Sequence, residues 1–140
     1  MLTLRIARPV SDLERTSAMY AQGLGLTILG GFQGHAGFDG VFLGLEGSLY
    51  HFEFTTFPAQ PIIPRPTHED LIVFYFPEHC AWQEACSRMI RAGFQKVVAG
   101  NPYWAAHGTT FEDLDGYRTV LVDGPWPAKP STQSLKSGGP

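Results

Sequence analysis

A chain of 140 residues with 44% hydrophobic side chains is long enough to fold as one domain with a substantial core. Its formal charge of -3, with no run of Lys or Arg, lacks the electrostatic footprint of a nucleic-acid binder, so a small molecule is the expected partner. The opening MLTLRIARPV meets Arg5 too early for a secretory core or a membrane span, which leads to the expectation of a cytoplasmic protein.

Leu2, Leu4 and Ile6 alternate with Thr3, Arg5 and Ala7, which predicts a first strand over residues 2–8. Ser11-Asp-Leu-Glu14 has the form of a capping box, in which the Ser hydroxyl and the Glu carboxylate satisfy free amides at a helix start. The helix is expected to reach about Gln22, where Gly23 and Gly25 stop it. Strands follow near 26–32, 41–45 and 49–56, with turns at Gly34 to Gly40 and Glu46-Gly47-Ser48. His35 falls in the first turn, in solvent.

PAQPIIPRP is a proline-stiffened linker, and LIVFYF at 71–76 is a strand apolar on both faces. Trp82, Ala85, Cys86, Met89 and Ile90 then share one stripe of a helix ending at Gly93. Cys80 and Cys86 lie on that same helix, too far around it for a bridge, and Cys80 reads as a plain helix residue. Further strands are expected at 94–98, 104–111 and 117–122. In FEDLDG at 111–116, Asp113, Asp115 and Gly116 are turn chemistry. From Pro125 the chain turns rich in Pro, Ser, Gly and Lys, giving a folded domain of 1–124 and a flexible tail of 125–140.

Strand, helix, three strands is therefore written twice, as module one (1–56), a linker (57–68) and module two (69–124). VSDLERTSAMYAQGLGL at 10–26 and NPYWAAHGTTFEDLDGYRTVLVD at 101–123 resemble the first strand-helix junction and the final hairpin of the vicinal oxygen chelate superfamily. That superfamily includes glyoxalase I, extradiol dioxygenases and bleomycin-resistance proteins. The resemblance implies an α+β fold of two tandem βαβββ modules forming cupped mixed β-sheets, with helices packed outside. It also implies a homodimer, because each cup is commonly completed or buttressed by a second module; an aromatic content of 13% offers apolar surface for that contact.

Metal-dependent members of the superfamily carry a His or Gln on each first strand and a Glu on one or both fourth strands. In LYHFEFT, His51 and Glu53 share one face and Tyr50, Phe52 and Phe54 the other, so His51 and Glu53 should face the cup, with Glu53 at the acidic position. Arg5 stands where a His is expected, and Arg has no lone pair to give a metal. Counting on from Asp115-Gly116 puts Val120 at the second Glu position.

The expectation is a ligand-binding cup without a cofactor, in which Arg5 pairs with Glu53 in place of a metal and Val120 supplies apolar wall. Tyr103, Trp104 and His107 would line its mouth. The plainer readings are a structural salt bridge for Arg5 and packing roles for the aromatics. The alternative is a metal-dependent lyase, isomerase or dioxygenase using His51, Glu53 and His68 around a divalent metal. A third is a fold kept as an interaction module.

Overall fold

In a computed structural model, which describes residues 1–128, the two sequence repeats form two four-stranded mixed sheets. The first repeat contributes β1 (Leu4–Pro9), α1 (Leu13–Leu24), β2 (Thr27–His35), β3 (Phe38–Gly44) and β4 (Tyr50–Thr56). The second contributes β5 (Leu71–Phe76), α2 (His79–Arg91), β6 (Gln95–Val97), α3 (Pro102–His107), β7 (Gly108–Glu112) and β8 (Arg118–Asp123). The strand orders are β1-β4-β3-β2 and β5-β8-β7-β6. In each sheet the first and fourth strands are parallel neighbours and the other pairs are antiparallel, which is the α+β paired-module fold expected from the repeat.

The start of α1 differs from the expected capping box. Asp12 is the N-cap, its carboxylate accepting from the Arg15 amide at 3.0 Å. Ser11 lies one residue too early to cap; its amide and hydroxyl both donate to the Asp115 carboxylate of the other repeat. At the far end Gly25 adopts φ 70°, a left-handed conformation that a Cβ would penalise.

One hydrophobic core spans both repeats. Phe52 and Phe54, alternate residues of β4, are buried against α1, where Tyr20 meets Phe54 edge-on at 4.8 Å between ring centres. Tyr20 also meets Phe94 of the second repeat at 5.1 Å, and Ala85, Met89, Phe111 and Leu121 complete the cluster. Burying each large side chain contributes about 2–3 kcal/mol, which the two repeats can realise only together. The β7–β8 turn reinforces this junction. Asp113 accepts from the Asp115 and Tyr117 amides, as a local turn should, and also from the buried Tyr20 hydroxyl. The Arg8 guanidinium lies 4.2 Å from the centre of the Tyr117 ring.

The second sheet is covered on both faces. Phe74 and Phe76 of β5 pack toward α2 and the core, whereas Leu71, Val73 and Tyr75 point the other way, into a separate cluster with Trp104, Val120 and Val122. Residues 102–107 form α3, so the first part of the strand expected at 104–111 is helical instead. Asn101 caps it, accepting from the Tyr103 amide at 3.0 Å, and Pro102 begins it. Beyond β8 the chain continues along the same face, with Trp126 5.7 Å from Tyr75 between ring centres. Of the expected tail, residues 129–140 lie outside the described residues.

Candidate functional site

Among the described residues the first sheet has no counterpart of α3. Its helix side carries Phe52 and Phe54, and its outer side carries Arg5 from β1 and His51 and Glu53 from β4. Parallel pairing places Arg5 beside His51, and the side chains complete the contact: Arg5 Nε donates to His51 Nε2 at 2.9 Å. Arg5 Nη1 stands 3.9 Å from Glu53 Oε1, an electrostatic approach too long for a hydrogen bond. The guanidinium also lies 4.7 Å from the centre of the Phe42 ring on β3, and Phe32 of β2 approaches Phe42 at 5.7 Å. Gly40 allows this, since a Cβ there would collide with the Phe32 ring.

Accepting from the guanidinium engages the lone pair of His51 Nε2. Arg5 is half-exposed and keeps further N–H donors free of hydrogen bonds among the described residues. Chemically, this is a fixed guanidinium fork on an aromatic floor, suited to a planar oxyanion.

The remaining predicted site residues lie elsewhere. Val120 is fully buried beneath Trp104, itself only 6% exposed, so it is core under α3 rather than open wall of a cup. Tyr103 and His107 lie on α3, not on a strand, with ring centres 4.3 Å apart. Among the described residues, no hydrogen bond, ion pair, aromatic contact or packed cluster joins these residues to Arg5, His51 or Glu53.

The alternative metal set is not assembled. His68 is exposed near Arg118 and Trp104 on the second repeat, and no three His, Cys, Asp or Glu side chains group as a metal site among the described residues. The donors on the first sheet do not fit a divalent ion either, because the His51 lone pair is engaged by Arg5 and a second positive charge would sit against the guanidinium.

A larger cleft, about 730 Å³, lies between the linker and the start of α1, walled by Phe57, Pro61, Ile62 and Leu114. It contains none of the predicted residues. Its carboxylates are engaged locally: Asp12 caps α1, Asp39 accepts from the Gly34 amide, and Asp115 accepts from Ser11. Cys80 is exposed and Cys86 half-buried, and burial pushes the Cys86 thiol up.

The paired sheets, one built as βαβββ and the other with α3 added, have the fold of glyoxalase I and bleomycin-resistance-like structures. Residues 4–55 match the YycE-like N-terminal domain and residues 69–123 the YycE-like C-terminal domain. The chain belongs to the YycE-like family, and is 39% identical over 120 residues to the uncharacterised YycE protein of Bacillus subtilis, covering 86% of each chain. The crystal structure of a YycE protein from that organism, of unknown function and provisionally described as a glyoxalase/fosfomycin resistance protein, aligns with a TM-score of 0.81 at 37% identity. That alignment covers 93% of this chain and 92% of the other.

More distant structures share the fold. The trypanothione-dependent glyoxalase I of Leishmania major aligns with a TM-score of 0.68 at 19% identity, over 89% of this chain and 87% of its own. An antibiotic-binding protein from a Streptomyces species aligns with a TM-score of 0.59 at 20% identity, over 89% and 96%. No helix among the described residues is long and apolar enough to cross a membrane.

Proposed function

We propose that the protein binds a small molecule bearing an oxyanion, with Arg5 as the anchor, and that it does so without a resident metal. The observation that carries this reading is the guanidinium fork: it is held by His51 at 2.9 Å, balanced by Glu53, and laid over Phe42 with donors to spare. An anchoring charge in an aromatic setting is how small-molecule sites gain orientation and affinity together. The antibiotic-binding protein of the same fold is consistent with a binding role.

The same face is open and carries exposed apolar surface at Leu29, 41% exposed, whose side chain lies against Gly44, the cross-strand partner of His51. In this reading a second copy of the chain covers it, and the ligand lies in the enclosed space between them.

The test is thermal unfolding against a panel of aryl carboxylates, phosphonates and sulfonates. A ligand present at a hundred times its Kd stabilises by about 2.7 kcal/mol, and Arg5→Ala should abolish the rise. A hit that stabilises Arg5→Ala equally removes Arg5 from the role. Light scattering at micromolar concentration should give a dimer, and a monomer there overturns the closure by a second copy.

A further inference from the structure

A second cavity, about 220 Å³, lies on the outer side of the second sheet, among Tyr75 of β5, Tyr103, Trp104 and His107 of α3, and Asp123 and Trp126 at and beyond the end of β8. It is smaller than the roughly 300–1,000 Å³ of a drug-sized site, so it suits a chemical group rather than a large ligand.

The rings are not stacked into a solid layer. Tyr103 and Trp104 stand edge to face at 86°, Tyr75 and Trp126 are tilted by 44°, and Tyr103 and His107 by 40°. The rings of Tyr75, Tyr103, Trp104, His107 and Trp126 all line the same space, and aromatic faces carry partial negative charge. Trp126 is 63% exposed, so burial alone does not account for its place over Tyr75, and its indole remains available to a ligand.

Among its described lining residues Asp123 is the only carboxylate and none is Lys or Arg. Asp123 Oδ2 is held 2.7 Å from His79 Nδ1, which fixes the group, while Oδ1 meets no protein donor among the described residues. Tyr75 stays protonated, its phenol pushed up by burial and by Tyr103. The cavity thus combines aromatic rings and one negative charge held by His79, with the Tyr75 and Tyr103 hydroxyls and the His107 ring as further polar groups. An ammonium whose protons are replaced by methyl groups needs only charge and π faces, both of which this lining supplies.

We propose that this cavity is a cation site for a quaternary or fully methylated ammonium group, held by Tyr75, Tyr103, Trp104 and Trp126 with Asp123 as counter-charge. The site lies within one chain and stands independently of the reading given to Arg5.

Choline and its uncharged isostere 3,3-dimethylbutan-1-ol test it. Both are titrated into the full chain, with binding followed by calorimetry and by tryptophan fluorescence, since two of the three tryptophans line the cavity. Choline should bind saturably, and the isostere about tenfold more weakly. Trp126→Leu keeps apolar bulk but loses the π face and should lose most of the affinity, whereas Trp126→Phe should retain most of it. Trp126 is exposed and lies outside both sheets, so neither change should alter the melting temperature. Asp123→Asn should weaken choline and leave the isostere unchanged. Equal binding of the two compounds, no saturable choline binding, or full choline affinity in Trp126→Leu overturns the proposal.

Discussion

Tyr20 on α1 and Asp113 in the β7–β8 turn share a buried hydrogen bond of 2.7 Å that ties the two repeats together. Each is deep in protein, so neither has water to turn to if the other is removed. Tyr20→Phe keeps the ring packed on Phe54 and Phe94 and removes only the hydroxyl. It should cost about 1–3 kcal/mol in urea unfolding, the penalty of leaving a buried acceptor short of a donor. A change within a few tenths of a kcal/mol shows that the bond contributes nothing to the junction.

Asp113 also sets a pH dependence. Burial raises its carboxyl above the usual range, outweighing the bonds from Tyr20, Asp115 and Tyr117 that lower it. A carboxyl raised by folding binds its proton more tightly in the folded chain. Its contribution to stability is therefore fully present in acid and is lost as pH rises from the unfolded value through the folded one. Asp113→Asn removes that titration while keeping an oxygen for the turn amides. The difference in melting temperature should move in the variant's favour between about pH 4 and pH 7. A difference that stays constant across that range contradicts the raised carboxyl.

Val120 supports Trp104, and the two should respond to substitution as parts of a core. Val120→Glu places a carboxylate in an apolar layer with no partner and should destabilise by at least about 3 kcal/mol, with no gain in metal affinity. Trp104→Ala should cost about 3–5 kcal/mol, the range for truncating a buried large aromatic side chain. Chemical denaturation measures both. A Val120→Glu protein as stable as the parent would mean that α3 does not cover that strand.

In the proposed reading Arg5 stands in the way of a metal on the first sheet. Arg5→His removes the guanidinium, frees the His51 lone pair and adds an imidazole beside Glu53. Zinc should then raise the melting temperature of the variant, by an amount equivalent to about 2.7 kcal/mol at a hundred times its Kd, and raise the parent far less. Equal responses would show that the parent already has a competent donor set.

Much of this was legible in the sequence, and for identifiable reasons. The alternation of YHFEFTT separates two faces of β4 because one packs on α1 and the other is open, and the Arg5, His51 and Glu53 grouping follows from that period plus the parallel pairing of β1. LIVFYF lacks alternation because both faces of β5 are covered. That is the available clue to α3, together with Asn101-Pro102, a cap and first-turn pair just before the strand expected from Trp104. Val120 was misplaced for the same reason: counting along a strand finds its face but not what lies on it. The clasp of Asp113 with Tyr20 and of Asp115 with Ser11 left no sequence signal, since an Asp that closes a turn looks the same whether or not a distant group uses its second oxygen.

The pairing of β1 with β4 also shapes how the chain is made. During synthesis β1 has no sheet partner until Tyr50–Thr56 follows it. Tyr20, Phe52 and Phe54 then wait longer, for Met89, Phe94 and Phe111 of the second repeat. Throughout that interval the nascent first repeat presents an uncovered aromatic face, the kind of surface that draws chains together before folding is complete. Cellular yield is accordingly sensitive to whatever delays the last hairpin, and substitutions in the Asp113 turn should reduce soluble expression more than their equilibrium cost predicts.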